Sequence, residues 1–324
     1  MISSRALLTQ LACVAAIFVL FNGALIYISR NAAPKRLVRH LGEARQADIL
    51  FQGDSTMAAA LDETAFEETL RKRGIDPVST KQVPFNFALG GTDPVEHLAL
   101  LNRAVKSHSH YSVYVYGFFG LEMTDLPTRG DIGNRALQYY LEPQVATKYY
   151  YPGTWDDLMF NLSRRLPYIA EKGELFWRVE KVRRKIQAVG MPKLKDNAFG
   201  RASDFNLPKD EQAVRFKADC LEVVEGRRGL SKPVLELLSL AHKHSDRVIV
   251  LEMPVRIDGP NSFFTTEVWQ RYRETIRREV EAQGAIFLPA TEWKVEPGMF
   301  QDDVHLEAEG AKVFSHQVAN KLVR

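Results

Sequence analysis

Cysteine is scarce in this chain, with two in 324 residues. Cys13 sits in the apolar N-terminal segment and Cys220 stands alone in the body, so the pair offers neither a disulfide framework nor thiolate spacing for a metal. Cys220 reads as a buried or half-buried thiol. Charge of one sign is also lacking: 43 Lys and Arg stand against 40 Asp and Glu, a net charge of +3. That balance gives no footprint for nucleic acid as a partner. The chain has no phosphate-cradling Walker loop, no zinc-ligand spacing, no internal repeat and no low-complexity tract. What remains is an ordinary globular composition, 45% hydrophobic and 26% charged, on a chain long enough to bury a full core.

One long apolar run is present. Residues 6–28 carry no charge and are mostly Ala, Leu, Val, Ile and Phe. At about 1.5 Å per helical residue such a run covers a hydrocarbon core of about 30 Å. Asn22-Gly23-Ala24 is a poor signal-cleavage site, so 1–29 reads as an uncleaved transmembrane anchor, with a cleaved signal as the alternative. A basic stretch follows over 30–46, with Arg30, Lys35, Arg36, Arg39 and Arg45 against Glu43, and reads as a membrane-proximal linker. A positive-inside count would leave the body in the cytoplasm, whereas a short tail before a single span is the layout of a signal anchor, with the body outside.

From residue 47 onward strands alternate with helices. Short buried strands are expected over 47–52, 83–89, 111–116, 247–252 and 285–288, and helices over 56–73, 94–106, 230–244, 266–283 and 307–322. This alternation predicts an α/β domain over 47–324 with a parallel sheet covered on both faces. Sites in such sheets lie outside the carboxyl ends of the strands. Between about 121 and 211 the alternation fails and aromatics accumulate, among them Tyr139, Tyr140, Trp155 and Trp177. That stretch reads as an insertion or cap, either ordinary packing or a surface for sugar rings or lipid headgroups.

A serine hydroxyl becomes a useful nucleophile only when a base takes its proton. Ser55 ends the Gly53-Asp54-Ser55 turn between a strand and a helix, where its amide would face a developing oxyanion. The competing reading makes Ser55 a helix cap. Near the other end stands Asp302-Asp303-Val304-His305. A carboxylate three residues before a histidine can hold the imidazole by its second nitrogen; the alternative is an acidic surface turn. Occurring together at the two ends of one α/β unit, the two motifs suggest a nucleophile with its acid–base pair.

These blocks resemble the SGNH (GDSL-like) hydrolase superfamily. Gly53-Asp54-Ser55 resembles its first block, Asn86-Phe87-Ala88-Leu89-Gly90-Gly91-Thr92 its second, and Asp302-Asp303-Val304-His305 its last. The resemblance covers roughly 47–117 and 245–322. It implies a flavodoxin-like three-layer α/β/α fold, Ser55 as nucleophile, His305 as base, Asp302 as orienting acid, and the amides of Ser55 and Gly91 as the oxyanion hole, with no metal or cofactor. The third block departs. Where that family has an oxyanion-donating asparagine, this chain has Phe119 in Gly117-Phe118-Phe119-Gly120. An atypical third block and a single N-terminal span are similar to a membrane-anchored branch, the proteins of teichoic acid D-alanyl transfer and exopolysaccharide O-acetylation. That branch implies an extracytoplasmic body, a glycan or acyl-ester substrate and a membrane-bound O-acyltransferase partner.

Other polar residues carry weaker expectations. Glu252 and Pro254 end the fourth strand, and Arg256 follows it as a candidate for an anionic substrate. His97, His108, His110, His242, His244 and His316 read as surface or core residues. The expected function is serine-dependent acyl transfer or ester hydrolysis on a cell-envelope glycan, with activity falling below about pH 6.5, where a free histidine protonates. Its rivals are a simple carboxylesterase or deacetylase and a non-catalytic scaffold, the latter supported by Phe119.

Overall fold

The computed structural model describes residues 4–31, 35, 39, 47–108, 110–124, 145, 148, 149, 158, 161, 209–257, 260–293 and 295–322. The chain divides into two compact units, one holding the N-terminal helix and the other the sheet.

Helix α1 runs Ser4–Ser29. Its segment Ala6–Ser29 is long and apolar enough to cross a membrane. Side chains with polar groups satisfy themselves on their own helix: Asn22 Nδ2 donates to the Phe18 carbonyl at 2.8 Å, and Ser29 Oγ to that of Leu25 at 2.8 Å. Such bonding is what a lipid environment demands of a polar group. The Arg30 guanidinium lies 4.1 Å over the Tyr27 ring, an aromatic–cation pair of the kind that suits a headgroup boundary.

The second unit is α/β. In chain order its elements are β1 Ile49–Gln52, α2 Ser55–Ala60, α3 Glu63–Lys72, β2 Pro84–Asn86, α4 Pro94–Ser107, β3 Tyr111–Phe118, α5 Lys209–Val224, α6 Lys232–His244, β4 Ser245–Glu252, α7 Glu267–Ala282, β5 Ile286–Pro289 and α8 Ala308–Leu322. Among the described residues the strands form one five-stranded sheet in the order β2-β1-β3-β4-β5, and each neighbouring pair is parallel. That is the flavodoxin order, in which connections leave β1 and β3 in opposite directions and open a crevice at their carboxyl ends.

Period-2 alternation sends strand side chains into two cores. Ile49 and Phe51, Val113 and Val115, and Ile249 and Leu251 share one face with Met57 of α2, Phe66 and Leu70 of α3, and Phe314 and Val318 of α8. Leu50, Tyr114, Tyr116, Val248 and Val250 are buried on the other, where α4 packs on α6 and α6 on β4. Each apolar side chain fully buried in this way contributes about 1.5–3 kcal/mol before entropy is counted.

Local chemistry shifts several expected boundaries. The helix expected over 56–73 is two helices, because Asp62 turns out of the first and caps the second, accepting from the Ala65 amide at 3.0 Å. β2 stops at Asn86 rather than continuing to 89, since the Asn86 side chain takes the Ala88 amide at 3.1 Å and turns the chain. β3 extends to Phe118. α5 lies in a region where no helix was expected. The insertion expected over about 121–211 falls almost entirely outside the described residues.

Candidate active site

Ser55 is the first residue of α2, at the carboxyl end of β1. The cap of that helix is Asp54, whose Oδ1 accepts from the Thr56 amide at 2.8 Å and the Thr56 hydroxyl at 2.6 Å. The alternative in which Ser55 does the capping is therefore excluded, and its hydroxyl is left for another partner. The turn also requires Gly53 and Gly117. A Cβ on Gly53 would stand 2.5 Å from the Gly117 carbonyl oxygen, and one on Gly117 would overlap Met57 Cε. These two glycines let the ends of β1 and β3 and the start of α2 meet without side chains between them.

The partner of Ser55 comes from 250 residues away. His305 Nε2 lies 2.9 Å from Ser55 Oγ. On the far side of the ring, Nδ1 is 2.8 Å from Asp302 Oδ2 and 3.0 Å from Oδ1. The loop holding this pair is built locally. Asp302 Oδ1 accepts from the Val304 amide at 2.9 Å and the His305 amide at 2.8 Å, while Phe300 and Leu306 close its base in an antiparallel bridge. The Arg256 amide donates to the Asp303 carbonyl at 3.0 Å, tying the loop to the segment after β4. Gly310 lets α8 press on this base, since a Cβ there would be 2.5 Å from the Met299 carbonyl oxygen.

Electrostatics set the proton positions. Partial burial pushes the Asp302 carboxyl up, but the amides of Val304 and His305 together with the imidazole outweigh it and hold the group below its ordinary value. An ionised carboxylate only accepts hydrogen bonds. The proton between Asp302 and His305 therefore sits on Nδ1, the tautomer in which Nε2 can accept from the Ser55 hydroxyl. The side chains of His305 and Asp302 are 26% and 49% exposed, so the pair is reachable from solvent.

The glycine turn after β2 comes against Ser55. The Leu89 amide donates to the Gly53 carbonyl at 3.1 Å, and a Cβ on Gly90 would be 3.3 Å from Ser55 Cβ. Gly90 thus packs directly on Ser55. Gly91 takes φ +72° in the same turn, a conformation that favours glycine. The chain then enters α4 through Asp93, which accepts from the amides of Val95 and Glu96 while Glu96 returns a bond to the Asp93 amide.

Phe119 follows β3, where its ring meets Phe264 at 5.7 Å and offers no hydrogen-bond donor. Glu252 is a structural acid: it is 2% exposed, pairs with Arg273 Nε at 2.7 Å and accepts from Thr291 Oγ1 at 2.8 Å. Cys220 is buried and forms no disulfide. His110 faces Asp246 at the surface and His316 meets Thr69. His97 has a fuller set of partners than its sequence position suggests. It is wholly buried, with Thr92, Tyr116 and Glu122 around its ring. No local signal marks this cluster, because Tyr116 and Glu122 come from β3 and the turn after it, well removed in sequence from His97. Among the described residues no group of three His, Cys, Asp or Glu side chains is arranged to hold a metal ion.

Comparison with protein-family models returns no match, and neither does comparison with curated proteins.

Proposed function

We propose that this protein is a serine-dependent acyl-transfer enzyme of the SGNH type, held at a membrane by its N-terminal helix. The observation that carries the reading is the continuous hydrogen-bond chain from Ser55 Oγ through His305 to Asp302. Such a chain supplies what a hydroxyl nucleophile needs: a base within reach and a carboxylate that fixes the base's tautomer.

In the first half-reaction Ser55 Oγ attacks the carbonyl carbon of an ester, and its proton passes to His305 Nε2. The resulting oxyanion is held by the Ser55 amide, at the start of α2, and by the glycine turn, with Gly91 as the second amide donor. Collapse breaks the bond to the leaving oxygen, which departs with the proton from Nε2, and leaves Ser55 acylated. In the second half-reaction a hydroxyl of a cell-envelope glycan, or water, loses its proton to Nε2 and takes the acyl group. Phe119 removes one oxyanion donor relative to the resembled family, and losing one donor costs about 10²–10³ in rate. A slow hydrolase that serves as a dedicated transferase is consistent with that loss. The resemblance adds an extracytoplasmic body and a membrane-bound O-acyltransferase as this protein's partner.

A fluorophosphonate probe tests the centre directly. Wild-type protein should be labelled at Ser55, and Ser55→Ala should take no label. A scaffold would give two equally blank lanes. Incubating the wild type with an acetyl ester, with and without a glycan acceptor, separates transfer from hydrolysis: acylated glycan marks a transferase, and free acid alone marks an esterase.

A further inference from the structure

On the α4 side of the sheet, directly behind the glycine turn, lies a buried polar cluster that the reaction above does not use. Gln52, the last residue of β1, is fully buried; its Nε2 donates to the His97 carbonyl at 2.8 Å and its Oε1 accepts from the Tyr114 hydroxyl at 2.5 Å. His97 Nε2 lies 2.8 Å from Thr92 Oγ1, and Nδ1 lies 3.0 Å from the Tyr116 hydroxyl and 3.3 Å from Glu122 Oε1. Tyr116 donates to Glu122 Oε1 at 3.1 Å. Thr92 uses its own hydroxyl proton to close the turn onto the Leu89 carbonyl. A hydroxyl has one proton to give, so in the bond between His97 and Thr92 the imidazole Nε2 is the donor.

Each end of this chain of bonds reaches a part of the active centre. Gln52 stands three residues before Ser55. Thr92 ends the Leu89–Thr92 turn whose Gly90 rests on Ser55. Two consecutive glycines leave that turn with few backbone restraints of its own, yet oxyanion donors act only within a few tenths of an ångström of their mark. We propose that His97 is a positioning residue for the acyl-transfer site: it clamps the glycine turn to the end of β1, holding Thr92 through its side chain and Gln52 through its carbonyl. Tyr116 and Glu122 fix the ring from behind. Burial and the nearby Asp54 carboxylate push the Glu122 carboxyl up, the direction that sealing a carboxyl away from water gives.

The inference rests on the acyl-transfer reading, and full-length protein in detergent tests both. The measurements are the rate of Ser55 modification by a fluorophosphonate and the kcat and KM for p-nitrophenyl acetate. Thr92→Val keeps the side-chain shape but removes the oxygen; it should slow labelling and lower kcat by about tenfold to a hundredfold, the cost of a misplacement of about 1 Å, with KM within about twofold. His97→Ala should fall in the same range. Thr92→Ser restores the oxygen and should recover most of the loss, and a matching fall in His97→Ala, which leaves the Thr92–Leu89 bond in place, separates the clamp from closure of the turn alone. A Thr92→Val protein that labels at the wild-type rate, or a Thr92→Ser protein as slow as Thr92→Val, overturns the clamp while leaving the triad intact. Wild-type protein that takes no label overturns both.

Discussion

Two histidines in this molecule are each held by several polar groups, and they differ in almost everything else. His305 is carried by a short loop, is open to solvent, and has one nitrogen on a carboxylate and the other on a serine hydroxyl. His97 is carried by α4, is sealed from water, and has partners from three segments of the chain. A ring that must exchange protons with a substrate needs access, and its loop can be short because Asp302 organises it locally. A ring that must hold two elements together needs burial, because in a water-excluded site a competing solvent hydrogen bond is not available. Under the proposed acyl-transfer reading, the difference assigns the chemistry to the exposed pair and the geometry in which it would occur to the buried cluster.

Breaking the exposed side should have the largest effect. His305→Ala should lower kcat by on the order of 10⁴–10⁶-fold with folding intact, since loss of a base in such a unit removes nearly all its catalysis. Asp302→Asn keeps the shape but reverses the hydrogen-bond preference at Nδ1, and should cost about 10³–10⁴-fold. Steady-state hydrolysis of an activated ester and a melting curve for each variant check both halves of the statement. If the activity losses came with equal losses of stability, the contrast between the two histidines would disappear.

A smaller effect belongs to the joint between the two sides. Gly53→Ala drives a Cβ into the backbone oxygen of Gly117, whereas Gly117→Ala meets the ends of two flexible methionines, Met57 and Met253. Overpacking of this kind costs about 1–3 kcal/mol. Gly53→Ala should fall at the upper end and Gly117→Ala at the lower, as read from denaturant midpoints. Equal midpoints for the two would mean that the strand ends yield more easily than their packing suggests.

The smallest effect sharpens the comparison from the buried side. Burial, with the charges of Asp54 and Asp93, raises the Glu122 carboxyl well above its ordinary value, against the opposing bonds from Tyr116 and the Phe119 segment. A raised folded-state value means that Glu122 favours folding fully only below the unfolded carboxylate value of about 4.3. That contribution is lost as pH rises from there through the folded value. Glu122→Gln removes the titration while keeping hydrogen-bond capacity toward His97 and Tyr116. At acid pH it should differ from wild type by about 1 kcal/mol, the net value of one hydrogen bond, and it should gain on wild type as pH rises. Melting temperatures at a series of pH values check this; parallel curves would place Glu122 in contact with water.

Much of the fold was legible in the primary structure because β-branched runs and helical spacing are local signals. The strands around 49, 113 and 249 fall where their apolar residues put them, and Gly53-Asp54-Ser55 and Asp302 to His305 announce themselves by short-range pattern. The boundaries were less legible. Asp62 and Asn86 each end an element by bonding a neighbouring amide with a side chain, which spacing of apolar residues does not register. The packing of Gly90 on Ser55 is not legible in the sequence, because a contact between two turns that are distant in sequence has no local pattern. His97 looked like an ordinary helix residue, since the oxygen atoms around it come from Thr92, Tyr116 and Glu122.

By itself, then, the order of residues determined an apolar helix long enough for a bilayer, an α/β alternation, and which hydroxyl, imidazole and carboxylate were candidates for a common centre. Only the folded chain decided that Ser55 and His305 meet at 2.9 Å, that Asp54 rather than Ser55 caps α2, and that a second histidine lies behind the glycine turn. The physical reason is distance along the chain. Caps, turns and periodicity act over a few residues, whereas a contact between atoms 250 residues apart exists only once the parallel sheet has brought the ends of β1 and β3 alongside the loop before α8.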